Sequence, residues 1–195
     1  MVPLLRVGTV GWGDPAETSV ELEDSFSESN YFPDDLPVDW RVSYISNEID
    51  AVAILPAVIE SVDADTVEEW EDDTLERFEF YLLPPDNLSD RDVELWLMQQ
   101  QPKLELLGER WCGLLYRVSN IEINSLKLEI MAVRRGSEVE QSAAIINATD
   151  ELTPNIMRQI IEHLKSLNID LILFYPSRGL DANLSTATTI SSLLG

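Results

Sequence analysis

Apolar and polar positions along the chain fall into short β-rich runs separated by longer amphipathic stretches. Leu4 to Trp12 is the first run, closed by the turn signal Gly13-Asp14-Pro15. Ala51 to Leu55 is the second, stopped by Pro56, and Phe78 to Leu83 the third, ended by Pro84-Pro85. Cys112 to Val118, Leu126 to Val133 and a segment beginning at Ala143 predict strands four to six. Ile169 to Tyr175 is nearly all apolar, as a strand buried on both faces should be.

Helical spacing occupies the intervals. Asp39 is placed to cap a helix over 39–48, and Val67, Trp70 and Leu75 recur at loose helical intervals in the acidic stretch 63–76. Ser89 starts a helix that Pro102 divides, predicting two pieces. Thr153 followed by Pro154 is a strong helix start, and Ile156, Ile160, Ile161, Leu164 and Leu167 form one stripe behind it. A last helix is expected over 183–194. Residues 16–30 are acidic, rich in Ser and poor in apolar groups, and read as a mobile loop.

The order, about seven strands, most followed by a helix-length segment, predicts an α/β fold with a mainly parallel sheet and helical crossovers. A doubly wound open sheet and a (β/α) barrel both fit. At 195 residues the chain is shorter than a full TIM barrel of about 250, so a reduced or incomplete barrel in one domain is the expectation.

Two segments resemble the YecE-like family of TIM barrels. Val7-Gly8-Thr9-Val10-Gly11-Trp12 is similar to that family's opening strand, approximately V-G-T-S-G-W. Tyr31-Phe32-Pro33-Asp34-Asp35-Leu36-Pro37 is similar to its F-Y-P-x-x-L-P, and Trp40, Tyr44 and a strand at Ala51 follow in order. The resemblance covers about the first quarter of the chain. It implies a barrel with its site at the C-terminal ends of the strands.

The departures from that pattern share a direction. By the alignment, Ala53, Leu55 and Ile59 replace a Glu, an Asn and a Tyr of the family's second strand. Tyr81-Leu82-Leu83-Pro84 lacks the Lys expected before the proline. Ala132-Val133-Arg134-Arg135 keeps only Arg134 of a charged V-E-x-R-H, and Phe174-Tyr175-Pro176-Ser177-Arg178 lacks terminal Asn residues. Apolar groups cannot exchange protons, so the resemblance implies a dismantled site and a non-catalytic protein.

Charge narrows the partners. Against 13 Lys+Arg stand 36 Asp+Glu, a net charge of -23. Such a field repels nucleic-acid phosphates and anionic membrane surfaces. The apolar start is broken at once by Arg6 and the glycines Gly8, Gly11 and Gly13, and no apolar run approaches a membrane span, so a cytoplasmic protein is expected.

Few groups can carry chemistry. Cys112, alone in an apolar run, reads as a structural thiol. His163 lies between Glu162 and Lys165 on a helix, with no nucleophile motif near it. The glycines after the first strand match neither a dinucleotide nor a phosphate loop, so no cofactor is expected. Asp63-Ala64-Asp65 and 68–73 lack the glycine-turned spacing of a calcium loop. Trp12, Asp14, Arg117, Arg134 and Arg178, at or after strand ends, are the candidates for a pocket rim.

Three readings follow. The first is a non-catalytic binding or interaction protein, whose mouth Leu55, Pro84 and aromatic groups fill. The second is an enzyme with a remodelled site, acting on a small anionic or phosphorylated substrate through converging arginines. The third is an acidic partner of a basic protein. The arginines, rather than His163, are expected to hold any ligand, and a parallel barrel would place all three on one face.

Overall fold

The computed structural model describes residues 5–14, 16–17, 31–135 and 138–194, without the side chains of 138–141. Seven strands appear: β1 (Arg6–Val10), β2 (Ala51–Ile54), β3 (Glu79–Leu82), β4 (Trp111–Ile123), β5 (Leu126–Arg135), β6 (Glu138–Ile146) and β7 (Leu171–Phe174). Six α-helices accompany them among the described residues: α1 (Arg41–Glu48), α2 (Pro56–Ser61), α3 (Ala64–Asp73), α4 (Asp90–Leu104), α5 (Pro154–Ser166) and α6 (Leu180–Leu194).

The strands join in chain order and close into a ring, with β7 beside β1. The sheet is mixed. Five neighbouring pairs are parallel, but β5 is antiparallel to both β4 and β6. The fourth and fifth strands, expected in a mainly parallel sheet, are therefore joined by a hairpin. Asn124 and Ser125 form its turn, with φ of 50° and 66°, the left-handed pair that a two-residue hairpin loop needs. The connection from β5 to β6, at 136–137, lies outside the described residues.

Ring closure forces a stagger. Paired residues lead from Trp111 through Phe80, Val52, Thr9, Phe174, Ile146 and Leu128 back to β4 at Ile121, ten residues further on. Because β3 is only four residues long, it pairs with β4 no further than Leu114.

In the ring interior small residues stand beside large ones. Gly8 pairs with Ala51, Ala51 with Glu79, Ala53 with Tyr81 and Ala143 with Leu171, and paired residues project to the same face. A Cβ on Gly8 would lie 2.1 Å from the Ala51 carbonyl oxygen, so only glycine fits. At the N-terminal end the interior is charged. Arg6 pairs with Glu79 and donates to the Tyr81 hydroxyl (3.1 Å) and Asp170 (3.0 Å). Burial opposes its charge, but Tyr81, Glu79 and Asp170 outweigh that and raise its pKa. Cys112 is partly buried, and burial pushes its thiol up to about 11, the state of an unreactive cysteine.

The helices follow their caps with local differences. Ser89 accepts the Asp92 N–H and Thr153 the Ile156 N–H, and Met157, Ile160, Ile161 and Leu164 bury the α5 stripe. Pro102 does not divide α4, which runs unbroken to Leu104 before a 3-10 turn. The carbonyl its ring deprives of a partner belongs to Met98, a residue 70% exposed. Pro56 does more than stop β2: it is the first residue of α2. Asp39 caps nothing, because a 3-10 turn at Val38–Trp40 precedes α1. Trp70 and Trp96 are buried as expected, but Trp40 is 67% exposed.

Candidate functional site

The C-terminal ends of the parallel strands surround a cavity of about 450 Å³, within the range of small-ligand pockets. Leu55 follows β2, Leu83 and Pro84 follow β3, and Tyr175 follows β7. Met131 and Ile145 enter from β5 and β6. Of the apolar groups expected at the mouth, Leu55 and Pro84 line the cavity and leave it open, whereas Ala53 and Ile59 are not among its lining residues.

Its charges are unevenly matched. Glu17, Glu60, Asp86 and Glu129 line the cavity, with Arg117 as the one cation among its lining residues. Arg117 is already engaged, its Nε donating to Glu129 at 3.0 Å. Glu60 accepts the Trp96 Nε1–H from α4 at 2.6 Å, which fixes one carboxylate at the rim. Burial raises the Tyr175 phenol, and the negative charges of Glu129 and Asp86 raise it further.

Glu17 is fully buried. Its carboxylate accepts the backbone N–H groups of Trp12 and Gly13, each at 2.9 Å. Gly11 and Gly13 adopt φ of 70° and 74°, which turns both donors toward one point, an arrangement suited to an anion. A Cβ on Gly11 would sit 2.6 Å from the Glu17 oxygens, so the glycine also makes room for the carboxylate. Burial pushes the Glu17 carboxyl up to about 7, against the downward pull of the backbone donors.

The five sequence candidates do not form one site. Arg117 lines the cavity. Trp12 and Asp14 instead line a separate cleft of about 250 Å³ with Trp70, Asp39, Glu69 and Asp73. Trp12 is buried there edge-on to Trp70, with ring centroids 5.0 Å apart. Arg134 points the other way: on β5 it shares the face of Leu128, Ile130 and Ala132, opposite Glu129 and Met131, and pairs with Glu94 of α4. Arg178 is exposed in the β7–α6 connection and is not a lining residue. The expectation that the three arginines share one face fails for Arg134, because its place in the pleat of β5 turns it to the helix side.

Glu17 is the residue the sequence reading missed. It fell inside a run read as a mobile acidic loop, yet it packs without exposure; 18–30 lie outside the described residues. The available signal was Gly11-x-Gly13 followed by a carboxylate four residues on. His163 is exposed on α5, away from the cavity.

Among the described residues no three His, Cys, Asp or Glu side chains converge to hold a metal ion, and no helix is long and apolar enough to cross a membrane. No protein-family model, no curated protein and no solved structure matches the chain.

Proposed function

We propose that the chain is a non-catalytic binding protein, a YecE-like (β/α) barrel reduced to seven strands, whose strand-end cavity takes a small amine-bearing cation. The observation that carries this reading is the charge of the cavity. Its lone arginine is paired with Glu129, which leaves Glu60 and Asp86 as the remaining charged lining groups, joined by Glu17 once its buried carboxyl, at about 7, has released its proton. A cation entering there meets carboxylates already in place, and the field of a chain at -23 draws it in. Tyr175 adds an aromatic group at the strand ends beside these carboxylates. An anionic ligand, the expectation from the arginines, finds Arg134 outside the cavity and Arg117 engaged. The family likeness rests on the sequence motifs at 7–12 and 31–37, and the β4–β5–β6 meander departs from it.

Calorimetric titration tests this reading. At low salt, 1,4-diaminobutane should give a saturable heat with one site per chain, and inorganic phosphate none. Saturable phosphate binding without amine binding overturns it.

One observation favours a second reading, an enzyme with a remodelled site. Glu17 lines the cavity with a carboxyl that changes protonation near 7, where a general acid or base works best. A turnover that the cavity supports, with one pH limb near 7 that disappears in Glu17→Gln, is the sign of that activity.

A further inference from the structure

β4 runs to Ile123, but β3 leaves it at Leu114. From 115 to 123 the strand is bonded only to β5. Among the described residues no hydrogen bond reaches its other backbone edge over that length. Val118 is 53% exposed, and Arg117, Ser119, Asn120 and Glu122 are exposed around it.

Natural sheets protect such edges with lysines, prolines, inward-pointing charges or bulges. Residues 115–123 contain no Lys and no Pro. Arg117, turned into the cavity toward Glu129, is one inward charge and the irregularity at Val118, between the paired residues Arg117 and Ser119, is one bulge, but the ladder is regular again from Ser119 to Ile123. The open edge also begins at the cavity. Tyr116 and Arg117 line it on one side and Pro84 and Pro85, just after β3, on the other.

We propose that this edge accepts an extended, Lys/Arg-bearing segment of a partner protein as an added strand. Main-chain hydrogen bonds to β4 give such a segment its affinity, and alternate side chains give it specificity. Charge selects the class of partner. The chain carries -23, with Glu122 on the free strand and Asp86 across the gap, so a basic segment is attracted and an acidic one repelled. A second copy of this chain is a poor occupant, because it brings the same edge and another -23. This inference concerns the strand edge and stands whether or not the cavity holds a small amine.

The test uses three fluorescent peptides of about nine residues, matched to the free edge from 115 to 123 at about 3.4 Å per residue. One alternates Lys and Val, one replaces Lys by Glu, and one keeps the lysines but carries prolines in place of the valines. Fluorescence anisotropy should show the Lys–Val peptide binding at least about tenfold more tightly than either other, weakening as salt rises. Ser119→Pro and Asn120→Pro complete the test, because successive N–H groups point alternately to β5 and to the open edge. One variant should lose stability. The other should stay folded by circular dichroism and lose peptide affinity about tenfold. Equal binding of the proline peptide shows attraction by charge alone and overturns the proposal. So does unchanged affinity in every variant that remains folded. A self-associated dimer broken by the same proline in place of peptide binding also overturns it, by assigning the edge to a second copy.

Discussion

Glu17 reaches back across the turn at the end of β1 to accept the Trp12 N–H at 2.9 Å, and so closes the strand end with the chain's own carboxylate. Two backbone donors that would suit a ligand anion are thereby occupied from within. The same contact brings a fully buried ionisable group to the cavity wall.

Stability should respond to pH through this carboxyl. Its folded pKa, about 7, lies above the ordinary 4.5, so between those values the folded state holds a proton that the unfolded state has released. Stability from Glu17 therefore falls as pH rises through that window, by up to about 3 kcal/mol. Urea unfolding at pH 5 and pH 8 checks this. The wild-type loss should exceed the Glu17→Gln loss by roughly that amount.

Gly11 and Gly108 both have positive φ, at 70° and 56°, but a Cβ meets the Glu17 carboxylate only at Gly11. Gly108→Ala should cost about 1–3 kcal/mol, the backbone penalty alone at φ 56° and ψ -127°. Gly11→Ala should cost about 2–4 kcal/mol, because the carboxylate must leave its donors as well. Chemical denaturation of the two variants side by side reads the difference.

The tryptophans separate by burial. Trp70 is 5% exposed and packs against both Trp12 and Phe80, so Trp70→Ala should cost about 3–5 kcal/mol. Trp40, 67% exposed, should tolerate alanine within about 0.5 kcal/mol. Thermal unfolding of both variants distinguishes them.

Arg117 should oppose amine binding and Arg134 should not affect it. Arg117→Gln removes the cavity's cation and frees Glu129, so affinity for 1,4-diaminobutane should rise about fivefold. Arg134→Gln acts on the helix side, at Glu94, and should leave that affinity unchanged. Calorimetry on both variants decides.

Much of the architecture was legible because burial writes itself into composition. Ile169 to Tyr175 is apolar at every position but Asp170, which lies before β7, and β7 is buried on both faces. Thr153-Pro154 and Ser89 announced their helices through cap chemistry alone. The hairpin was less visible. Asn124-Ser125 between two alternating runs is a turn signal, but strand–helix alternation elsewhere outweighed it. The cavity was barely legible, because its charges come from separate connections and from one face of β5. Glu60, Asp86 and Glu129 meet only once the ring closes. Arg134 and Glu129 are five residues apart on the same strand, and the pleat alone puts them on opposite sides.

The account rests most on an amine occupying the strand-end cavity. Backbone and methyl NMR spectra recorded while 1,4-diaminobutane is added test that directly. Saturable shifts should appear at Leu55, Met131, Ile145 and Tyr175, with none at Val67 or Trp70 beside the acidic helix α3. Shifts confined to α3, or the same cavity shifts produced by phosphate and not by the amine, would contradict it.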